Sequence, residues 1–218
     1  MRILVVNLGS TSTKAGIFED LVPLATETFQ HQKEDLACFD SIFGQRDFRK
    51  AVIEDWLEKQ GFGLHDFMVY ALRGGLIRPI PGGIYRINAQ VAQDAESGRY
   101  GEHACNAGLL LGYAWSRSSG IPAVFVDAPC TDELIDAARI SGFAGVERTS
   151  IFHALNAKRV IRHYCRSKGL DPYRHSFIVA HMGGGISVSA VQGLKDIDVS
   201  NGVDGHFEPA ATAIKKGY

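Results

Sequence analysis

The sequence lacks a Cys-x-x-Cys pair, a block of like charge and a long apolar run, and each absence excludes a class of protein. Its 4 cysteines are widely scattered, which argues against a disulfide framework or a zinc ribbon. The 23 basic and 24 acidic residues nearly cancel, so the charge pattern does not indicate a nucleic-acid or membrane-surface protein. No stretch approaches the length of a membrane span. With 45% apolar residues, the 218 residues suffice for one large or two small globular domains.

The first residues carry no pattern of a secretory signal. Met1 and Arg2 precede a short apolar run, Ile3 to Val6, which is too short for the core of a signal peptide. We therefore expect a cytoplasmic protein whose cysteines are reduced.

Glycine is plentiful in two distant segments that share one pattern, an apolar run followed by a polar residue and a glycine-rich turn. The first segment spans residues 3–18 and the second spans residues 177–190. Each predicts a β-hairpin whose tip presents free backbone N–H groups. Such tips bind anions because small residues admit a phosphate and hydroxyl groups add donors. The alternative for either segment is an ordinary turn that bonds only its own backbone.

Neither segment carries an established nucleotide fingerprint. Lys14 follows Gly9 too closely for a Walker P-loop, and no Gly-Lys-Ser/Thr run leads into a helix. The dinucleotide fingerprint is absent from both segments. Because the pattern occurs twice, we expect a nucleotide held between two halves of the chain.

Alternating strand and helix patterns predict an α/β fold built around mixed sheets. Besides the two hairpins, strands are expected over residues 21–29, 67–72, 123–126 and 197–199, and helices over residues 47–61, 88–97, 102–117, 131–142 and 150–168. The stretch from Arg73 to Gly83 is too rich in glycine and proline for regular structure. It predicts a loop, and loops that follow strands in α/β sheets commonly carry ligand sites.

Polar side chains fall at the ends of predicted strands and near the starts of predicted helices. Any one of them alone is more often a cap or a solvated surface group. Together, cations and imidazoles beside glycine loops suit phosphoryl transfer, which consists mostly of positioning and charge neutralisation. The strand-end residues are Asn7, Arg73, Asp127 and His181, and the helix-start residues are His103 and His153.

Six short motifs follow one another along the chain: residues 7–14, 73–83, 101–106, 139–142, 150–156 and 180–187. In this order they resemble the motifs of butyrate kinase, a member of the acetokinase family. The resemblance runs from residue 1 to about residue 205. It implies an ATP-dependent kinase that makes an acyl phosphate from a short carboxylate such as butyrate. The implied fold is the duplicated actin-like ATPase, or ribonuclease H-like, fold.

The resemblance also implies a role for each matching residue, with ATP and Mg²⁺ as cofactors and a homodimer as the assembly. Arg73 (with Arg78 as a competitor) and His103 would bind the carboxylate. Arg73, Asp127 and His153 would be the catalytic residues. Roles toward the nucleotide fall to Asn7 for the metal–phosphate group, to Ser10, Ser12 and Lys14 for the first phosphate loop, and to His181, Gly183, Gly184 and Gly185 for the second.

The match to the family ends before the chain does. Residues 206–218 depart from the family pattern, and family members continue further. We therefore expect an acetokinase-type domain over residues 1–150 and the incomplete start of a nucleotide-binding domain over residues 151–218. Exposed apolar surface would favour association. The alternatives to a butyrate kinase-like enzyme are an inactive remnant, half of a split enzyme completed by a C-terminal fragment, and a related kinase for another acid.

Overall fold

The computed structural model describes residues 1–183 and 185–201, and for Lys33 the backbone alone. Over these residues the strands and helices are β1 (Arg2–Leu8), β2 (Ser12–Glu19), β3 (Val22–Gln30), α1 (Lys33–Ala37), α2 (Gln45–Lys59), β4 (Val69–Arg73), β5 (Ile84–Arg86), α3 (Ala89–Glu96), α4 (Ala104–Ser119), β6 (Ala123–Val126), α5 (Ala154–Lys168), β7 (Ser176–Met182), β8 (Ile186–Gln192) and β9 (Lys195–Val199). None of the described helices is both long enough and apolar enough to cross a membrane.

The chain divides into two compact units. Unit 1 comprises Met1–Arg78 and Ile84–Val126, and unit 2 comprises Pro79–Gly83 and the described residues from Asp127 onward. The domain boundary expected at residue 150 stays a prediction.

Unit 1 is built on one mixed sheet of six strands in the order β3-β2-β1-β4-β6-β5. The central strands β1, β4 and β6 are parallel, whereas β2, β3 and β5 pair in antiparallel fashion. Val6 lies opposite Leu72 and Arg73 lies opposite Val126, so the carboxyl ends of these parallel strands share one edge. The predicted α/β class with a mixed sheet is confirmed.

The core of unit 1 lies between this sheet and α4. Alternate residues of β1 are buried, as the period of a strand with one covered face requires. The helix packs closely because Gly112 faces Leu72, where a Cβ atom would come within 2.7 Å of the leucine side chain. Trp115 of α4 is buried and donates from Nε1 to Glu54 Oε1 at 2.8 Å, which links α4 to α2.

Unit 2 contains an antiparallel sheet of three strands in the order β7-β8-β9. Ile161 and Cys165 of α5 form a buried cluster with Val191 and Leu194. Helix α5 ends at Gly169, which adopts a left-handed conformation with a φ of 64°. Such a residue terminates a helix because it redirects the chain without a Cβ clash.

Both predicted hairpins and most of the predicted strands and helices are confirmed. The helix expected over residues 131–142 is wrong, because the structure has only a short 3₁₀ turn there, Asp136–Arg139. The Asp132 carboxylate explains the difference. It accepts a hydrogen bond from the Leu134 backbone N–H at 3.2 Å and pairs with the Arg139 guanidinium at 2.9 Å. Local side-chain bonds of this kind compete with helical backbone bonds.

Candidate functional site

The tip of the first hairpin is a tight turn between β1 and β2. The register pairs Asn7 with Lys14 and Leu8 with Thr13, which leaves residues 9–12 as the turn. The Gly9 N–H donates to the Ser12 carbonyl at 2.8 Å. The expectation that the tip presents free N–H groups is therefore wrong for Gly9, whose N–H closes the turn. Ser10 is exposed, Ser12 is half-buried and Lys14 is exposed on β2.

A buried arginine lies beneath this turn, and the sequence analysis missed it. Arg49 of α2 is fully buried. Its Nη2 donates to the Ser10 carbonyl at 3.2 Å, and its Nη1 donates to the Ser12 carbonyl at 2.9 Å. One signal was available, since Arg49 precedes Ile53 by four residues and so falls on the apolar face of the predicted helix.

Asn7 ends β1 with an amide oxygen that has no hydrogen bond. Its Oδ1 is buried, and in the described part of the chain no donor reaches it. Lys14 lies directly opposite on β2, and residues opposite one another in an antiparallel pair project to the same face. A buried acceptor of this kind suits a hard cation or a water bound to one.

Arg73 and Arg78, the two competitors for the carboxylate, differ in their partners. Arg78 is paired with Asp94 through two hydrogen bonds of 2.6 Å and 2.8 Å. Arg73 ends β4, and among the described residues no carboxylate lies within ion-pair distance of it. Arg73 therefore keeps an uncompensated charge, whereas the charge of Arg78 is paired with that of Asp94.

His103 caps the N-terminus of α4 and lies in the electrostatic field of Arg73. Its Nδ1 accepts the Cys105 N–H at 3.2 Å. Burial lowers the pKa of His103, and the charges of Arg73 and Arg49 lower it further. The ring is therefore neutral at neutral pH and carries its proton on Nε2, because Nδ1 is an acceptor. Burial also raises the pKa of the neighbouring Cys105 thiol, which stays protonated.

Asn106 fixes the loop that follows Arg73. Its side chain is fully buried, accepts from the Leu76 N–H at 2.9 Å and donates to the carbonyls of Leu76, Ala95 and Gly101. Gly75 packs so closely that a Cβ atom there would lie 2.7 Å from Asn106 Oδ1. This close approach explains why residue 75 is a glycine. The hydrogen bonds of Asn106 hold the start of the loop in place.

In unit 2 the structure brings His153 and His181 together, which sequence spacing does not predict. Their rings stack with centroids 3.8 Å apart and an interplanar angle of 11°. His153 precedes α5, and its Nδ1 lies 2.9 Å from Ser187 Oγ on β8. His181 lies on β7, and its Nδ1 accepts from the Asn156 amide at 2.8 Å. Ser187 and Asn156 thus contribute to the orientation of the two rings.

The tip of the second hairpin follows directly on His181. The Gly183 N–H donates to the Gly185 carbonyl at 3.2 Å, so this turn also closes on itself. A Cβ atom on Gly183 would lie 3.2 Å from His181 Nε2, and glycine keeps that space open. Gly184, the third predicted glycine, lies outside the described residues.

Asp127 is buried and has an unusual backbone conformation. Its φ of 41° is in the left-handed region, which is uncommon for a residue other than glycine. Oδ1 accepts from the Gly83 N–H at 2.9 Å, and Oδ2 lies 3.6 Å from Arg162 Nη1. Oδ2 is buried, and no hydrogen bond from a described residue reaches it. Local strain combined with an under-used acceptor is typical of functional residues.

Unit 2 also contains a buried charge cluster that the sequence analysis did not identify. Lys158 of α5 lies 2.7 Å from Glu133 and 3.6 Å from Asp196 of β9. Burial raises the pKa of Asp196 to about 6, against the attraction of Lys158. Burial acts in the same sense on Glu133, but hydrogen bonds from Lys158 and from the N–H groups of Asp196 and Gly82 prevail and lower its pKa. The cluster connects three distant parts of the sequence.

No family model matches the chain. Its structure is similar to that of acetate kinase from Porphyromonas gingivalis, with a TM-score of 0.66 and 17% identity over 95% of this chain and 58% of that one. It is also similar to a propionate kinase from Francisella tularensis, with a TM-score of 0.62 and 16% identity over 92% and 57%. Acetate kinase from Entamoeba histolytica gives a TM-score of 0.64 and 14% identity over 93% and 55%.

The chain thus spans little more than half the length of these kinases. Identities this low establish the fold alone. The chain has the actin-like ATPase fold that these acetate and propionate kinases share.

Proposed function

We propose that the protein is a carboxylate kinase that transfers the γ-phosphoryl group of ATP to a short acid, with butyrate as its preferred substrate. The observation that carries the proposal is that Arg73 of unit 1 lies near enough to His103 for its charge to act on the His103 ring. Arg73 lacks a carboxylate partner among the described residues, and the neutral His103 ring has its proton on Nε2. A guanidinium beside an N–H donor is suited to bind a carboxylate.

The chemistry needs no general base. A carboxylic acid is already ionised at neutral pH, so a carboxylate oxygen can attack directly. The new bond joins that oxygen to the γ-phosphorus, and the bond from the γ-phosphorus to the bridging oxygen breaks. ADP leaves with the electron pair, and no proton is transferred. The barrier arises largely from bringing two anions together, which cations and hydrogen-bond donors relieve.

Each unit has a distinct part in this proposal. In unit 1, Arg73 and His103 bind the acid, while Ser10, Ser12 and Lys14 contact phosphate groups. In unit 2, His153 stabilises the charge on the transferred group, and His181 with Gly183, Gly184 and Gly185 forms the second phosphate loop. The stacking of His153 on His181 supports the assignment, because it fixes the ring plane of each. Asp127 is the acidic residue to which we assign a part in catalysis.

Mg²⁺ is the expected metal, and the residues present fit it in one respect. Asn7 Oδ1 is a buried acceptor without a donor in the described part of the chain, so Asn7 would hold the ion or its water. No cluster of three His, Cys, Asp or Glu side chains suited to a metal occurs among the described residues. A site with few protein ligands suits Mg²⁺, which usually binds through one or two carboxylates and the phosphates of the substrate. When bound, it would neutralise phosphate charge.

The acid itself is proposed from the motif resemblance. The structurally similar kinases are named for acetate and propionate, and butyrate is longer by one or two methylene groups. One methylene in an apolar pocket changes specificity by about 1–3 kcal/mol.

A homodimer is likewise proposed from the resemblance, and sedimentation equilibrium tests it.

The test is acyl-phosphate formation by the purified full chain with MgATP and each acid separately, trapped as the hydroxamate. We expect product with acetate, propionate, butyrate and isobutyrate, at the highest kcat/KM with butyrate, and little product from His153→Ala. A folded preparation that forms no hydroxamate with any acid would overturn the proposal. A preference for acetate or propionate would retain the reaction and reject butyrate as the substrate.

A further inference from the structure

Arg49 of unit 1 has a set of partners that is unusual for a fully buried cation. Its guanidinium has five N–H donors, and each reaches a neutral acceptor. Three go to the hairpin, at the Ser10 carbonyl, the Ser12 carbonyl and Thr13 Oγ1, over 2.9–3.2 Å. The other two go to Gln45 Oε1 at 2.9 Å and 3.2 Å. Among the described residues, no carboxylate balances the charge.

These bonds orient the turn. In a trans peptide the C=O and the following N–H point in opposite directions. Because the Ser10 carbonyl is held toward Arg49, the N–H of Thr11 is directed away from the buried guanidinium. Thr11 and Ser10 are exposed, so that N–H faces the outer side of the turn. A turn held in this way presents a donor outward and has a positive charge directly behind it.

The charge of Arg49 also reaches its neighbours. Burial lowers the pKa of Arg49 itself. The same charge lowers the pKa of His103 and acts together with Arg73 on the Cys105 thiol. In unit 1, Arg49 and Arg73 both lie without a carboxylate partner among the described residues. Burial of an unpaired charge is costly, and an anion bound at the turn would offset that cost.

We propose that Arg49 is the positioning residue and the buried counter-charge of an anion site at the turn formed by residues 9–12. The anion is a phosphoryl group of the nucleotide, an identity that rests on the proposed function. Arg49 does not touch this group. It acts through the orientation of the turn and through its charge.

The competing explanation is that Arg49 only fastens α2 to the first hairpin. Both explanations require the same contacts, so removal of the arginine does not separate them. Gln45→Glu does separate them, because it keeps the acceptor beside Arg49 and adds the missing negative charge. A fastening role predicts unchanged or improved stability and unchanged anion affinity. A counter-charge role predicts that anion affinity falls although the fold is kept.

The experiment measures the Kd of magnesium tripolyphosphate for the full chain by titration calorimetry at constant ionic strength, together with the melting temperature. For Gln45→Glu we expect Kd to rise about tenfold or more, as a Coulomb energy over several ångströms at an effective dielectric constant near 20 implies. Its melting temperature should not fall. The control is Gln60→Glu, the same substitution at the exposed far end of α2, whose Kd should stay within about twofold of the wild-type value.

Arg49→Lys provides a second test, since lysine keeps the charge but cannot make the forked contacts to the turn. We expect its affinity to lie between those of the wild type and Arg49→Gln. The proposal is overturned if folded Gln45→Glu binds tripolyphosphate as tightly as the wild type, or if the wild type does not bind it. Tripolyphosphate involves no acid, so loss of binding in Gln45→Glu supports the site even if no acyl phosphate is formed. If Gln45→Glu and the wild type bind tripolyphosphate equally and both form acyl phosphate, the anion site is rejected and the proposed function is retained.

Discussion

The two units bury charge in opposite ways. In unit 1, Arg49 is fully buried among neutral acceptors, and Arg73 has no carboxylate partner in the described part of the chain. In unit 2, the buried Lys158 lies against both Glu133 and Asp196. The first arrangement leaves positive charge for a ligand to neutralise. The second pairs its buried cation with carboxylates of the same unit.

The difference extends to the groups that each unit offers. Unit 1 presents cations and a histidine whose lowered pKa keeps it neutral. Unit 2 presents the stacked pair of His153 and His181, oriented by Ser187 and Asn156. The two hairpins, which share a sequence pattern, are therefore held by different contacts. The buried Arg49 holds the first, and His153 stacks on His181 of the second. Under the proposed function, unit 1 attracts anions and unit 2 stabilises charge that develops during transfer.

The sharpest test of this contrast is His153→Asn in unit 2. We expect turnover to fall about 10²- to 10³-fold, the usual effect of losing a group that stabilises transition-state charge. The Kd of MgATP should change little, because the effect falls on the transition state. Hydroxamate kinetics and calorimetry measure the two quantities. His163→Asn, an exposed position on the same helix, should leave both unchanged. Parallel losses in affinity and turnover would make His153 a binding residue.

A test of stability in unit 1 is the replacement of Asn106, which fixes the loop that follows Arg73. Replacement by alanine removes four hydrogen bonds from a fully buried position. We expect a loss of about 2–4 kcal/mol in the free energy of unfolding, because buried backbone groups lose their partners. Urea denaturation measures it. Asn88→Ala, which removes only the exposed cap of α3, should cost about 1 kcal/mol. Similar losses in both variants would show that the hydrogen bonds of Asn106 contribute little to the free energy of unfolding.

The charge that unit 1 offers to the acid is tested by comparing Arg73→Ala with Arg78→Ala. The first should raise the KM for the carboxylate about tenfold or more, because a charge-assisted contact contributes about 1.5–3 kcal/mol. The second should leave KM nearly unchanged, since Arg78 is paired with Asp94. Initial-rate measurements with varied acid decide the matter. An unchanged KM in Arg73→Ala with an increase in Arg78→Ala would reverse the assignment.

The buried charge cluster of unit 2 is tested by the pH dependence of Asp196→Asn. Since the pKa of Asp196 is raised to about 6 from an ordinary 3.8, the folded state favours the protonated acid. The wild type therefore loses stability as pH rises from about 4 to about 6. Asp196→Asn should be the more stable protein above that window, by up to about 3 kcal/mol, with the advantage shrinking toward pH 4.

Urea denaturation at pH 4, 5, 6 and 7 measures this advantage. Asp198→Asn, on the exposed side of the same strand, serves as the control and should change stability by less than about 1 kcal/mol at every pH. An advantage of Asp196→Asn that does not vary with pH would contradict the raised pKa.

Local pattern predicted much of the fold, because alternation and glycine turns specify hairpins directly. The helix expected over residues 131–142 failed where the Asp132 side chain competes with helical bonds. The candidate residues at strand ends and helix starts were each identified singly. The stacking of His153 on His181 was not, because it joins positions 28 residues apart through tertiary packing. Arg49 was missed because a charged helical residue is usually solvated.

The proposed reaction transfers a phosphoryl group between a nucleotide and a carboxylate, and we would measure it in the favourable direction, from acyl phosphate to ATP. The full chain is incubated with butyryl phosphate and MgADP, and ATP formation is followed by phosphorus NMR beside His153→Asn. We expect the butyryl phosphate signal to be replaced by that of ATP one for one, and the variant to be slower by about two to three orders of magnitude. Loss of butyryl phosphate to inorganic phosphate without ATP, or equal rates for both proteins, would contradict it.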